Sequence, residues 1–137
     1  MKKAVTTIIL LVAFLMGVNA NSNPSADFTV TVSPTSETVQ RGSNGGSNIT
    51  LTTTGYCGTV NLVATVSPNQ RYGPTMQFRN YDVYICTDRG FEVGTTPLSI
   101  GPTRKTPTGT YTITITAQAI TGSSVTHTAT VTLTVTP

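Results

Sequence analysis

Apolar and polar residues alternate with a period of two along most of the chain after residue 27, and no stretch shows the apolar spacing of three and four that a helix requires. Alternation of this kind places one side of a strand in a core and the other in water. Turn-forming residues separate the runs, as at 41–46 and 106–109. The pattern therefore predicts one all-β, antiparallel sandwich of about seven strands. The clearest apolar positions are Phe28, Val30, Val32, Ile49, Leu51, Val60, Leu62, Ala64, Val66, Tyr81, Val83, Ile85, Tyr111, Ile113, Ile115, Ala117, Val125, Ala129, Val131, Leu133 and Val135.

The first twenty residues follow a different pattern. Lys2 and Lys3 precede an apolar run over 8–16, and small or moderate residues lead up to Ala20. This order is typical of a secretory signal peptide, with cleavage between Ala20 and Asn21. The run is much shorter than the roughly 20 residues that span a membrane. We predict a signal peptide at 1–20, a leader at 21–27 and the sandwich at 28–137, in an extracellular or cell-surface protein without a membrane span after processing.

Cys57 and Cys86 are the only cysteines of the chain. An even number of cysteines in an exported protein is typical of disulfide bonding. A redox pair is disfavoured, because the spacing is not Cys-x-x-Cys and no cation adjoins either thiol. The sequence therefore predicts a structural disulfide that ties the irregular middle of the chain to the regular strands.

Charge is sparse and hydroxyl groups are abundant. Charged residues make up 9% of the chain, whereas 30 of its 137 residues are threonine. The formal charge is +3, and two of the eight basic residues lie in the predicted signal peptide. Nucleic-acid binding needs a concentrated positive field, which this composition does not supply. We therefore expect no nucleic-acid partner.

Several segments resemble a known class of domain. Residues 107–117 (PTGTYTITITA) and 125–135 (VTHTATVTLTV) are similar to the last two strands of immunoglobulin-like or fibronectin-III-like repeats in exported archaeal and bacterial surface proteins. Residues 28–34 and 58–62 match the same pattern. The resemblance implies an immunoglobulin-like fold and a role as a spacer, an adhesive module or a filament subunit. Residues 70–91 depart from the repeat pattern, so an individual function is expected there.

Residues with catalytic or metal-binding potential are few. His127 is the sole histidine and is in phase with the core positions of the last strand, which favours a packed or hydrogen-bonded role over that of a catalytic base or metal ligand. Asp82, Asp88 and Glu92 form no calcium-loop motif and are interpreted as solvated turn residues. A sandwich of this size also offers little material for a hydrolase cleft. We predict no enzymatic activity, no metal and no cofactor.

An aromatic and cationic segment extends from residue 71 to residue 89. One interpretation is a partner-binding surface for a cell-surface glycan or protein, because tyrosine and arginine are enriched in interfaces. The alternative is that the tyrosines fill the core, and it is favoured because Tyr81 shares a strand face with Val83 and Ile85. The residues concerned are Arg71, Tyr72, Arg79, Tyr81, Tyr84 and Arg89.

Asn48 begins the one glycosylation sequon that contains no proline, Asn48-Ile49-Thr50. It lies close to the glycine-rich loop at 41–46, so we expect it to be exposed. The sequence predicts a glycoprotein if the host carries out this modification.

Three functions remain open. The favoured one is a non-catalytic filament subunit that self-associates by donating the strand containing Phe28, Val30 and Val32, as in the archaeal thread-like filaments that it resembles. The second is a monomeric secreted adhesion or carbohydrate-binding module acting through the 71–89 segment. The third is a type IV pilin-like subunit that begins at Val5. A helix over 5–20 would be about 24 Å long, short of the roughly 30 Å hydrocarbon core, which disfavours the pilin.

Overall fold

The computed structural model describes residues 26–137, and this part of the chain forms nine strands and no helix. No helix in it is long and apolar enough to cross a membrane. The strands are β1 (Asp27–Ser33), β2 (Ser36–Gln40), β3 (Gly45–Thr54), β4 (Cys57–Ser67), β5 (Thr75–Phe78), β6 (Asp82–Cys86), β7 (Val93–Gly101), β8 (Gly109–Ala119) and β9 (Thr126–Thr136).

The strands form two sheets. One has the order β1-β3-β7-β5 and the other the order β2-β9-β8-β4-β6. Neighbouring strands are antiparallel except for β2, which pairs with β9 in parallel. A four-stranded sheet facing a sheet of five strands is the immunoglobulin-like arrangement. The predicted all-β, immunoglobulin-like sandwich is confirmed, with nine strands where the sequence indicates about seven.

The core lies between the two sheets and follows the alternation of the sequence. On β8 the inward side chains from Tyr111 to Ala119 are buried, as are Val131, Leu133 and Val135 on β9, and threonines alternate with most of them on the outer face. Such alternation is what a sheet with one wet face requires. The largest fully buried side chains are Tyr56, Tyr111, Phe28, Ile49, Leu51, Leu62, Ile85, Leu98, Ile100, Ile113, Ile115 and Leu133.

The strands that the sequence did not reveal are β2, β5 and β7. β2 and β5 are five and four residues long, too short for alternation to be distinctive. β7 contains Gly94 and Pro97, which normally indicate a turn. A Cβ on Gly94 would lie 2.5 Å from the side chain of Val83 and 2.9 Å from that of Ile85. Glycine is therefore required here because β7 approaches the inward side chains of β6 closely.

The loops collect at two opposite ends of the sandwich. Loops 41–44, 68–74 and 102–108 meet at one end, where the N–H of Gly42 donates to the carbonyl of Pro102 and Tyr111 donates to Gln70. Loops 55–56, 87–92 and 120–125 meet at the other end with the start of β1, where the hydroxyl of Tyr56 donates to the carbonyl of Thr121. Each end is therefore a surface assembled from segments that are distant in the sequence.

Candidate interaction surfaces

The predicted donor strand is β1, which among the described residues is an edge strand with β3 as its ladder partner. Phe28 is fully buried against Tyr56, with ring centroids 5.6 Å apart. Val30 and Val32 are partly buried and pack on the same core. In the structure β1 therefore closes the groove of its own sandwich, and its donation to another subunit remains a prediction.

A hydrogen bond between two side chains holds the start of β1 to the start of β9. The Nε2 of His127 lies 2.7 Å from Oδ1 of Asp27, and the imidazole ring packs edge-on against Phe28 with centroids 5.0 Å apart. The hydrogen bond from His127 and a second one from the N–H of Phe28 lower the pKa of Asp27. The packed, hydrogen-bonded role predicted for His127 is confirmed. Its partner was missed, because nothing in the sequence connects residues 27 and 127.

The predicted disulfide is confirmed. Cys57 at the start of β4 and Cys86 at the end of β6 are direct cross-strand neighbours, joined by an S–S bond of 2.02 Å. Cys86 is buried, whereas Cys57 is exposed and its sulfur lies 3.4 Å from the hydroxyl of Tyr84. The bond fastens the edge strand β6 to its neighbour β4.

The interpretation that the tyrosines of the 71–89 segment fill the core is wrong. Tyr72, Tyr81 and Tyr84 are between 44% and 51% exposed, although Val83 and Ile85 are buried as expected. Tyr81 lies just before β6, so it escapes the alternation of that strand and packs edge-on against Phe78 instead.

The six residues of this segment do not form one surface. Arg71 and Tyr72 lie in loop 68–74 at one end of the sandwich, and Arg89 lies in loop 87–92 at the other. Arg79 and Tyr81 lie between them, in the link from β5 to β6. Tyr84 points outward from β6 and stacks edge-on against Phe91, with ring centroids 5.9 Å apart.

A shallow cleft of about 400 Å³ runs along the edge strand β5. Its lining combines the Tyr81 ring with amide and hydroxyl groups, which are the groups that orient polar ligands. Apart from Tyr81, sequence analysis did not identify these residues, because they come from separate short elements. The lining residues are Asn44, Thr75, Met76, Gln77, Tyr81, Ser99 and Gly101.

Asn48 lies on β3, with its side chain exposed on the outer face of the first sheet. It is beside Ser33 of β1 and Pro97 of β7 in the strand register. The expected exposure is confirmed, whereas glycosylation remains a prediction. The predicted cleavage site at Ala20 and Asn21 lies outside the described residues.

The carboxylates do not converge on a common point. Within residues 26–137 no group of three or more His, Cys, Asp or Glu side chains is close enough to hold a metal ion. Asp82 instead accepts a hydrogen bond of 2.8 Å from the amide of Asn61. Asp88 and Glu92 are exposed in loop 87–92.

Comparison with known proteins identifies the fold and no closer relationship. No family model matches the chain, and no curated protein matches it. Among solved structures, domains 4 and 5 of the S-layer protein SbsC are 22% identical with a TM-score of 0.56, over 84% of this chain and 54% of that one. A family 123 glycoside hydrolase from Clostridium perfringens is 10% identical with a TM-score of 0.59, over 80% of this chain and 27% of that one. The chain thus spans about half of the first structure and about a quarter of the second.

Proposed function

We propose that this chain is an exported, non-catalytic structural protein of the cell surface that assembles into filaments by exchange of β1. The observation that carries the proposal is the construction of β1, an N-terminal edge strand that buries one apolar side against the core. An edge strand presents a row of backbone groups to other chains, and an extended segment that supplies such a row can complete a neighbouring sheet.

The disulfide supports export. Bonds of this kind form and persist in oxidising compartments and are rare in the cytosol of mesophiles. Cys57 and Cys86 meet as cross-strand neighbours, so their bond is part of the folded domain. Together with the predicted signal peptide, it supports a location outside the cytoplasm.

The contacts of β1 support exchange. Burial of Phe28 contributes roughly 1.5 to 3 kcal/mol, with smaller contributions from Val30 and Val32, and a neighbouring groove would receive the same amount. Only Pro34 and Thr35 separate β1 from β2, so β1 forms a discrete segment at the end of the domain. The intrachain strand has the advantage of a high effective concentration. Exchange therefore requires an open, head-to-tail assembly of subunits, in which the groove of each sandwich receives the β1 strand of a neighbouring subunit.

A disulfide lock tests strand exchange. Thr31 of β1 and Thr50 of β3 are direct cross-strand neighbours, so Thr31→Cys/Thr50→Cys would tie β1 to its own sheet once oxidised as a monomer. At about 0.5 M NaCl, where contacts between surface charges are screened, we expect the locked protein to keep its β-sheet circular dichroism and to form no fibres by negative-stain microscopy. The matched Thr31→Ser/Thr50→Ser variant should form fibres as the wild type does. Fibres from the locked protein, or a wild type that stays monomeric by light scattering at millimolar concentration, would overturn the proposal.

N-terminal sequencing of the secreted protein tests processing independently. A start at Asn21 supports the predicted signal peptide, whereas a start at Val5 would support the pilin-like alternative. In addition, a protein without residues 21–34 should lose polymerisation and should recover solubility when a peptide of that sequence is added.

A second candidate function, that of a carbohydrate-binding module, is favoured by the cleft along β5. The exposed Tyr81 ring, positioned by its contact with Phe78, offers a flat apolar surface, and Asn44, Gln77 and Ser99 supply hydrogen-bonding groups beside it. Glycan-array binding that Tyr81→Ala abolishes and Tyr84→Ala preserves would favour this function over a purely structural role.

A further inference from the structure

Basic side chains are concentrated at one end of the sandwich. Loops 41–44, 68–74 and 102–108 contain no carboxylate. The N–H of Gly42 donates to the carbonyl of Pro102, and the hydroxyl of Tyr111 bonds to both Gln70 and Pro107, so these loops form one continuous surface. We call it the basic end. Its exposed cations are Arg41, Arg71, Arg104 and Lys105.

The basic end also presents an exposed aromatic ring. Tyr72 is 44% exposed, and its ring centroid lies 5.4 Å from the guanidinium of Arg71 and 5.5 Å from the ammonium of Lys105. The two cations therefore converge on one side chain, and cation–π contacts hold them near its ring.

The opposite end has the reverse charge. Loops 55–56, 87–92 and 120–125, with the start of β1, carry the carboxylates of Asp27, Asp88 and Glu92 against one arginine, Arg89. We call this surface the acidic end. The backbone contact between Thr53 and Glu92 and the contact of loop 55–56 with Thr87 join its segments.

An aromatic pair accompanies the carboxylates of the acidic end. Tyr84 and Phe91 stack edge-on and are 46% and 54% exposed. Both ends thus combine exposed aromatic rings with charges, and the charges are of opposite sign. Arginine and tyrosine are enriched among the residues that dominate interface energies.

The charges at both ends are available for intermolecular contacts. Within residues 26–137 no lysine or arginine forms an ion pair with a carboxylate, and the one salt bridge is that between His127 and Asp27. Opposite potentials on two surfaces steer association and fix its orientation. Because the two surfaces lie at opposite ends of one molecule, a contact between them is heterologous and repeats from copy to copy.

We infer that the basic end binds the acidic end of a second copy of this chain, so that molecules stack head to tail. The guanidinium and ammonium groups around Tyr72 pair with Asp88 and Glu92 of the next copy and face its Tyr84–Phe91 pair. This contact deepens the proposed filament role but does not use β1, so it exists whether β1 is exchanged or stays in its own sandwich.

Two complementary capping variants test the stacking, and both carry the oxidised Thr31→Cys/Thr50→Cys lock so that β1 cannot be exchanged between copies. Asp88→Lys/Glu92→Lys removes the acidic end and leaves the basic end native, whereas Arg71→Glu/Lys105→Glu removes the basic end and leaves the acidic end native. We expect each variant alone to be monomeric in sedimentation velocity at about 20 mM NaCl. Their equimolar mixture should form a one-to-one dimer and stop there, because only one pair of native ends remains.

The locked protein with both ends native should form longer stacks at about 20 mM NaCl and dissociate toward monomer at about 0.5 M NaCl, since screening shortens the range of the charges. Thr65→Lys/Thr132→Lys in the same lock, which adds cations on the outer face of the second sheet away from both ends, is the control and should associate as the locked protein does.

Three outcomes would overturn the inference: a locked protein with native ends that is monomeric at low salt, a capping variant that still stacks alone, or a mixture that does not dimerise. Binding of the monomeric wild type to dextran sulfate, lost in Arg71→Glu/Lys105→Glu, would assign the basic end to a polyanion instead. The Thr31→Cys/Thr50→Cys lock separates this inference from strand exchange, because it prevents exchange of β1 but leaves both ends native, so the locked protein should lose fibres by exchange and still stack at about 20 mM NaCl.

Discussion

Asp27 and His127 are two half-exposed side chains that together hold the start of β1 against β9. Their hydrogen bond joins residues 100 positions apart and fixes the first residue of β1 to the second residue of β9. Within residues 26–137 no other ionisable side chain bonds to either group. The sequence predicts that His127 faces the core, because this follows from strand phase. It does not reveal Asp27 as the partner, because that requires knowing which strand ends meet.

The lowered pKa of Asp27 predicts a specific sensitivity to acid. A carboxyl whose pKa is lower in the folded state stabilises the fold above its unfolded pKa of about 3.9, and this contribution is lost as the pH falls through the folded value. We expect Asp27→Asn to have a lower Tm than the wild type at pH 7, and the gap should narrow as the pH falls from about 5 to about 2.

Calorimetry across this pH range provides the measurement, with Asp88→Asn as the control. Asp88 is exposed and shows no hydrogen bond to the described residues. The difference in Tm between the wild type and Asp88→Asn should therefore not change as the pH falls. If the difference in Tm between the wild type and Asp27→Asn were the same at every pH, the contact between Asp27 and His127 would not act through the carboxylate charge.

Phe28 is the residue that holds the edge strand β1 in place. It is fully buried, whereas its neighbour Thr29 is exposed. Phe28→Ala should lower the free energy of unfolding by about 3 to 5 kcal/mol, because the lost contacts leave a cavity. Thr29→Ala should change it by less than about 0.5 kcal/mol. Chemical denaturation measures both values, and equal effects would show that β1 is not packed as described.

At the scale of whole elements, the disulfide compensates for the weakness of β6. This strand is five residues long and has one ladder partner, β4. Without a covalent link, such a short edge strand would open easily, together with the loops on either side. The bond between Cys57 and Cys86 closes a segment with a sequence separation of 29.

Removal of this bond should therefore be costly. On the chain-entropy account, a loop of this length contributes about 3 to 4 kcal/mol, so Cys57→Ala/Cys86→Ala should lower the free energy of unfolding by that amount. Urea denaturation of the oxidised wild type and of the variant gives the difference. The reduced wild type is the control, and it should match the variant. A loss of less than about 1 kcal/mol would show that β6 is held by packing alone.

The sequence predicts elements well where alternation is long and poorly where it is short. β4, β8 and β9 each have 11 residues, and their buried positions are those that the alternation indicates. β5 has four residues and β7 contains both glycine and proline, so their strand character depends on tertiary pairing. The sequence wrongly predicts that Tyr81 is buried. Tyr81 precedes Asp82, the first residue of β6, so the alternation of β6 does not apply to it.

For the whole molecule, the chain distributes few charges very unevenly. Its body is covered by threonine hydroxyls, and its charged side chains are mostly in the loops at the two ends. Composition alone excludes a uniformly basic surface, but it cannot show that cations and carboxylates are separated. That separation arises because the fold brings loops 41–44, 68–74 and 102–108 together.

Stability and association should therefore respond differently to salt. Within residues 26–137 no lysine or arginine forms an ion pair with a carboxylate. Salt screening should therefore change the stability of the folded monomer very little. We expect the free energy of unfolding of a capped, monomeric variant to change by less than about 0.5 kcal/mol between 0.05 and 0.5 M NaCl. Over the same range the head-to-tail contact should weaken at least tenfold, because its charges must meet across two molecules. Urea denaturation and sedimentation velocity on the same samples give both quantities, and a parallel loss of stability and association would mean that the end charges act within one molecule.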